Sequence, residues 1–506
     1  MRKIQFLLIL CAGFIGTATF AQTESTLYFM NSLPQVMDVN PAIMPRYKLS
    51  IGLPGISSVA GVYSNNGFTY NDITSKSNGV VVGDLSKLSE NLPEKNYIAV
   101  GAQVDVFRFG MRINPKMYLM FSSSLKGYSR SMLPKGLSSL LVDGTGPLVG
   151  SYINTAPQQE GLSYLETGIG MAYQASDKFT FGGRLKYLKG IANVTTESSS
   201  LVVQVADTYL ITATAGANIK TSGIDNFNKS GYNVGDHWGD YTNNTGWGLD
   251  LGATYKFMDK LTLGASLIDI GFINWKNNTV QYTLDPSVAT YTFGGVDMTQ
   301  LLNKNSDYLS DQWDQAKEKF KMNEVPTGSY TTMLPSKFYL SGNYELMESL
   351  SIGALFFSEQ FRDRYSAGMT AAVNKNFGKI LTTSLSYTVS NRSYNNIGVG
   401  LSVNASPVQL YIVGDNLLRA PVSLIANQNL NSYVNSSQLL TVRAGLNLVF
   451  GWDKGKTKTQ AVKDDSHNPK LNNSKATVKP TYGRSTQKKK KKTKQLKVAP
   501  KSKVGR

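Results

Sequence analysis

Apolar and polar residues alternate along most of the chain. Residues 246–257 put Trp247, Leu249, Leu251, Ala253, Tyr255 and Phe257 on one face and Gly248, Asp250, Gly252, Thr254 and Lys256 on the other. Residues 166–173 repeat the pattern, with Ile169, Met171 and Tyr173 against Gly168, Gly170 and Ala172. Residues 441–450 alternate Val442, Ala444, Leu446, Leu448 and Phe450 with Arg443, Gly445 and Asn447. Successive side chains of a strand point to opposite faces, so each segment reads as a strand with one apolar face. A soluble sandwich alternates as well, and the second face separates the two architectures. Here it carries Gly, Thr, Ser, Asn and isolated charges in nearly every strand, as a wet or filled lumen requires. The expected fold is all-β, a transmembrane antiparallel β-barrel with strands of about ten residues.

A repeat runs through the same region. Tyr173 to Gly182, Tyr255 to Gly264 and Tyr344 to Gly353 share a spacing, with Asp177, Asp259 or Glu348 four residues after the Tyr. A looser copy runs through Asn374 and Gly378. Each reads as a strand–turn–strand hairpin with its Tyr near a strand end, where an aromatic girdle meets the membrane interface. Short turns are expected near 114–116, 175–178, 258–260, 347–349, 377–379 and 405–406. Longer segments lie near 64–96, 132–162, 222–244, 276–335 and 414–438, the alternation of outer-membrane barrels with short turns in the periplasm. Starting from a strand near 48–62, the count is 14 if residues 198–220, turning at Ala206-Asp207-Thr208, form a hairpin outside the wall. It is 16 if they belong to the wall, and 14 is preferred. Residues 307–322 and 134–142 read as loop helices, the second opened by Pro134.

Composition sharpens this picture. Charged residues make up 17% of the 506, below the roughly 25% of soluble domains. The net charge of +18 is concentrated in residues 453–506, where 18 Lys+Arg against 3 Asp+Glu give +15. The body is therefore near neutral, and nucleic-acid binding by the whole chain is excluded. The tail, with Lys488, Lys489, Lys490, Lys491 and Lys492 consecutive, cannot bury a core and is expected to be a disordered periplasmic cation. Anionic cell-wall polymer or an acidic periplasmic protein would suit it as a partner. At the other end, Arg2 and Lys3 precede an apolar stretch from Ile4 to Ile15, and Thr19-Phe20-Ala21 offers a cleavage site. Residues 1–21 read as a signal peptide cut between Ala21 and Gln22. The single cysteine, Cys11, lies inside it, so the mature chain is expected to have no disulfide and no thiol chemistry.

The two ends of the barrel, residues 48–452, carry further signals. In the last strand Arg443, Gly445, Leu448 and Phe450 have the spacing read by the barrel-assembly machinery, which makes that machinery and outer-membrane lipid expected partners. Before the first strand, Asn40, Pro41 and Pro45 break regular structure, and Leu27, Tyr28, Phe29 and Leu33 are apolar enough for residues 22–47 to plug the lumen. Catalytic and metal constellations are missing. The histidines are His237 and His467, no G-x-S-x-G occurs, and the phosphate-loop-like run at 451–457 is one residue short. No enzyme activity, cofactor or metal is expected.

The run NPAIMPRYKLSIGLPGISSV at 40–59, FTYNDI at 68–73 and GGRLKYLKGIANVTTESS at 182–199 resemble a Bacteroidota family of outer-membrane proteins defined only as a domain of unknown function. The resemblance spans about 25–451. More distantly, Asn40-Pro41-Ala42 is similar to the long-chain fatty acid transporter (FadL) family and to the PorP/SprF-like proteins of type IX secretion. The resemblance implies a 14-stranded barrel with an N-terminal plug and carries over no binding residues. Two functions stay open: a channel or transporter for small or apolar solutes, and a scaffold docking secretion or gliding machinery through the basic tail.

Overall fold

In the computed structural model, residues 24–66, 74–77, 80–83, 92–224, 243–295, 308–362, 364–390, 393–416 and 439–452 are described. Fourteen strands form the wall. They are β1 (Tyr47–Gly52 with Val59–Asn65), β2 (Lys95–Asn114), β3 (Met117–Pro134), β4 (Gln158–Gln174), β5 (Phe179–Val205), β6 (Thr245–Met258) and β7 (Leu261–Trp275). The ring continues through β8 (Tyr330–Met333 with Ser336–Met347), β9 (Leu350–Phe361), β10 (Arg364–Phe377), β11 (Leu381–Ser390), β12 (Ser393–Ala405), β13 (Val408–Asp415) and β14 (Leu439–Trp452). Each pairs antiparallel with its neighbours, and β14 returns to β1 from Tyr47↔Trp452 to Ser64↔Leu439, so the barrel is closed. Closure leaves no wall edge with unpaired backbone groups, the condition for crossing a bilayer with strands.

The hairpin formed by the upper part of β5 and Ile211–Ser222 stands outside this ring. The wall course from β5 passes to β6, which pairs with the lower half of β5 from Phe179 to Lys189. The count is therefore 14, the preferred of the two expectations. Ile211–Ser222 pairs instead with Thr279–Leu284 and Thr290–Phe293, and Asn323–Pro326 adds to Thr279–Leu284. The segment 276–335 was expected as loop, yet it contributes these strands and the first part of β8. Their partners are distant in sequence and their runs short, so local periodicity carries little of the signal.

All six expected short turns join strands at one end. The other end carries the long connections, together with two short ones the pattern did not suggest, 362–363 and 391–392. Among the described residues two α-helices belong to the long-loop end: α1 (Lys135–Asp143) and α2 (Tyr308–Lys319). Pro134 lies one position ahead of α1 in extended conformation, as its N-cap rather than its first helical residue. No described helix is long and apolar enough to span a membrane.

The outer face is apolar. Leu185, Leu251, Leu340, Ile352, Leu385 and Leu410 are exposed on successive parts of the wall, far more apolar surface than water tolerates on a monomer. At the short-turn end Tyr173, Tyr255 and Tyr344 are exposed beside Phe179, Phe181, Phe257 and Phe377. Rings of Tyr173 and Phe181, and of Phe179 and Tyr255, lie 5.7 and 6.5 Å apart, as in an interfacial girdle. The largest buried core is inside the barrel and is built around residues 27–39.

Candidate functional site

Residues 24–46 fill the middle of the lumen. Two short turns of 3-10 helix, Leu27–Phe29 and Pro34–Asp38, fold the segment, and Pro34 fixes the backbone at the start of the second. Asn40 then closes a local turn: its Oδ1 accepts from the Ala42 amide at 3.0 Å, and its Nδ2 donates to the Tyr28 hydroxyl at 2.9 Å. Leu27, Met30, Leu33 and Val36 are completely buried against inward-facing Tyr339, Leu355, Phe357 and Tyr411 of the wall.

Glycines make room for it. A methyl group on Gly182 would lie 2.2 Å from the Pro41 carbonyl oxygen, and one on Gly353 would lie 2.2 Å from the Phe29 ring. A methyl on Gly264 would lie 2.9 Å from the Tyr28 hydroxyl. These are the three glycines of the sequence repeat. Each hairpin turns at the short-turn end, and its glycine comes a few residues into the returning strand, on the inner face. The repeat therefore encodes a seat for the segment as well as a hairpin.

Charges fasten the other side. The Asp38 carboxylate receives Arg108 of β2 at 2.7 Å and Arg184 of β5 at 2.8 Å, with Arg443 of β14 at 3.8 Å. Those arginines are held in turn: Arg108 by Asp105 at 2.8 Å, Arg184 by Asp250 at 2.7 Å. Lys186 bonds Asp250 at 2.6 Å and also Asp269, and Lys126 bonds Glu166 at 2.7 Å. Burial by itself pushes the Asp38 carboxyl up, yet Arg108, Arg184 and Arg443 together hold it well below the usual carboxylate range. At the start of the segment, Arg443 grips both oxygens of Glu24, at 2.6 and 2.9 Å. The Asp415 carboxylate accepts from the backbone amides and hydroxyls of Ser25 and Thr26. Gln35 exchanges two amide bonds with Asn447, at 2.9 and 3.1 Å.

The segment divides the lumen. On the long-loop side is an upper chamber of about 100 Å³ lined by Gln103, Lys126, Tyr164, Asp269, Lys337 and the Glu24–Arg443 pair. Tyr128 also lines it, and Phe361 packs on that ring at 5.3 Å. The next residue, Arg362, reaches Glu160 of β4 at 3.3 Å and Glu197 of β5 at 3.7 Å, so the turn after β9 braces the mouth from across the lumen. On the short-turn side a second space of about 370 Å³ is bounded by Ile43, Met44, Arg112, Thr180, Thr262 and Asn343.

Of the residues singled out in the sequence, Arg443 and Gly445 face inward on β14, where Arg443 holds Glu24 and a methyl on Gly445 would meet the Ser57 carbonyl at 2.1 Å. Leu448 and Phe450 alternate with them and face outward. Asn40 is fully buried, Pro41 lies against Gly182, and the Pro45 carbonyl accepts from Arg112 at 2.7 Å. Ala21, Gln22, His237, His467 and the tail with Lys488–Lys492 lie outside the described residues, as do the signal peptide and any docking through that tail. The Asp38 network was not expected. Its signal was the set of isolated charges on polar strand faces, Arg184, Lys186, Asp250 and Arg443, whose mutual distances the sequence does not carry. Among the described residues no group of three His, Cys, Asp or Glu side chains is placed to hold a metal ion.

Fold and site together define a closed transmembrane barrel filled by its own N-terminal segment. The chain belongs to the Family of unknown function (DUF5723), whose model matches residues 41–415, a shorter span than the 25–451 of the sequence resemblance. Among curated proteins none matches. Among solved structures, the Ralstonia pickettii toluene transporter TbuX is similar at 11% identity and a TM-score of 0.40, over 86% of this chain and 96% of its own. The Pseudomonas putida toluene transporter TodX gives 11% and 0.36 over 85% and 93%. A Pseudomonas aeruginosa FadL homologue gives 10% and 0.37 over 86% and 96%. Scores at this level carry no argument, and the architecture rests on the closed register of the wall.

Proposed function

We propose that the protein is a solute passage through the outer membrane, shut at rest by residues 24–46. The observation that carries the reading is the division of one lumen into two spaces by a segment that leads through Pro45 and Arg46 into β1. The apolar outer face and the girdle support a place in the membrane, and the alternation of short turns with long loops supports the short-turn end in the periplasm. Passage requires the segment to leave its seat, and its contacts are non-covalent hydrogen bonds and ion pairs that can be exchanged one set at a time. Of the two solute classes expected, small solutes suit the chambers better than purely apolar ones. The upper chamber is lined by ionised side chains, and an apolar guest would leave them unsolvated. Proteoliposome swelling tests the reading. The double variant Glu24→Gln, Asp38→Asn is expected to admit small sugars or amino acids faster than the wild type. Equal and negligible swelling of both, with the barrel folded, would reject the passage.

A further inference from the structure

Two opposite charges line the upper chamber without meeting. Asp269 sits at a bulge in β7, opposite Asp250 of β6, with a left-handed φ of 60° that an aspartate tolerates. Its backbone amide donates to Asp250 at 2.8 Å, which fixes the bulge. The ion pairs of its carboxylate run through Oδ1, to Lys186 and, at 3.9 Å, to Lys126. Oδ2 has no partner among the described residues. On the adjacent strand, Lys337 of β8 stands in register with Ile268, next to Asp269, yet no nitrogen–oxygen distance between the two side chains is within 4.0 Å. Among the described residues Lys337 has no ion pair and no hydrogen bond, and its cross-strand neighbour Glu359 makes none with it. The other ions of the chamber are satisfied, Lys126 by Glu166 and Arg443 by Glu24.

We infer that the space between Lys337 and Asp269 is a binding site for a small zwitterion of amino-acid size, its carboxylate on the Lys337 ammonium and its ammonium on Asp269 Oδ2. A solute with one charge satisfies one side and leaves the other unpaired in a water-poor enclosure, and an apolar solute leaves both. A zwitterion forms a charge-assisted bond at each end and adds no net charge to the chamber. The size agrees: one water needs roughly 10–15 Å³ of such space, so a chamber of about 100 Å³ admits several non-hydrogen atoms. Tyr164 and Gln103, also in the lining, are placed to meet the remainder of the molecule. As a statement about the transported solute this rests on the passage reading; as a binding site it stands without it.

Calorimetric titration of the detergent-purified full-length protein tests it, at low salt, with alanine against propionate and ethylamine, which each keep one of alanine's charges. Alanine is expected to bind about tenfold or more tightly than either, and Lys337→Met to lose at least about tenfold of that affinity. Lys337→Gln serves if the Met variant fails to show the heat-modifiable mobility of a folded barrel. Propionate binding as tightly as alanine, alanine binding unchanged in the Lys337 variant, or no alanine binding at all would overturn the site. Swelling of vesicles carrying the Glu24→Gln, Asp38→Asn variant, measured beside it, separates the two claims. Alanine binding without alanine entry keeps the site and rejects the passage, whereas entry with no preference among the three probes keeps the passage and rejects the site.

Discussion

The inner face of the barrel has two unlike halves. From β14 round to β7 it is charged: Arg443, Arg108, Lys126, Arg184, Lys186 and Asp250 are all inward and paired. From β10 to β12 it is small and neutral: buried Thr370 and Thr388 bond each other, Ser384 bonds Asn374, Ser386 bonds Thr26 of the segment, and Gly398 and Gly400 lie at the level of the segment. The N-terminal segment is matched to both. Its Tyr28–Phe29–Met30 side lies on the glycines, and its Asp38 and Glu24 point to the arginines. The small half holds by shape and has nothing that titrates against the segment. The charged half holds by ionisation and can be weakened by removing a single charge. One half fixes where the segment lies, and the other sets how firmly it is held there.

The largest expected effect comes from the charged half. Asp38→Asn takes the shared anion from Arg108 and Arg184, which keep Asp105 and Asp250. Breaking a buried pair costs about 3–5 kcal/mol, and the low end is expected here because those second partners remain. Denaturant unfolding followed by loss of heat-modifiable mobility checks it, and an unchanged midpoint would mean that the ionic contacts contribute nothing. A smaller effect is expected from the shape-matched half. Gly398→Ala, on β12, sets a methyl against the Thr26 and Ser386 hydroxyls, an overpacking of about 1–3 kcal/mol. It should expose residues 24–46 to protease while leaving the wall strands protected. If Asp38→Asn exposed the segment less than Gly398→Ala does, the ranking of the halves would be reversed.

The smallest effect is one of pH. The carboxyl of Asp38 lies below its unfolded value, so its contribution to stability is complete above about pH 4 and is lost only as pH falls through the lower folded value. The difference in protease protection of residues 24–46 between wild type and Asp38→Asn is therefore expected to stay constant from pH 8 to 5. A difference that shrinks within that range would contradict the low-lying carboxyl of Asp38.

Much of the wall was legible because period-two alternation is a local signal and a barrel repeats it at every strand. The repeat from Tyr173, Tyr255 and Tyr344 gave the hairpins and, through Gly182, Gly264 and Gly353, marked positions where the segment would be seated. Residues 27–33 were recognisable as lumen-filling because a polar lumen leaves an apolar N-terminal stretch nowhere else to go. What the sequence did not disclose depends on distance across the barrel. Asp38 meets Arg108 and Arg184, 70 and 146 residues away, only after the ring has closed. The strands Thr279–Leu284 and Thr290–Phe293 were hidden because they pair with Ile211–Ser222 beyond the wall, where no membrane imposes a long alternating run.

Single-channel conductance in planar bilayers tests the central claim most directly, that residues 24–46 close the lumen through these two halves. The account predicts a wild-type protein that is silent or opens rarely, and a Glu24→Gln, Asp38→Asn variant with frequent, salt-dependent openings of one size. Steady conductance of the wild type, at the same level as the variant, would contradict it.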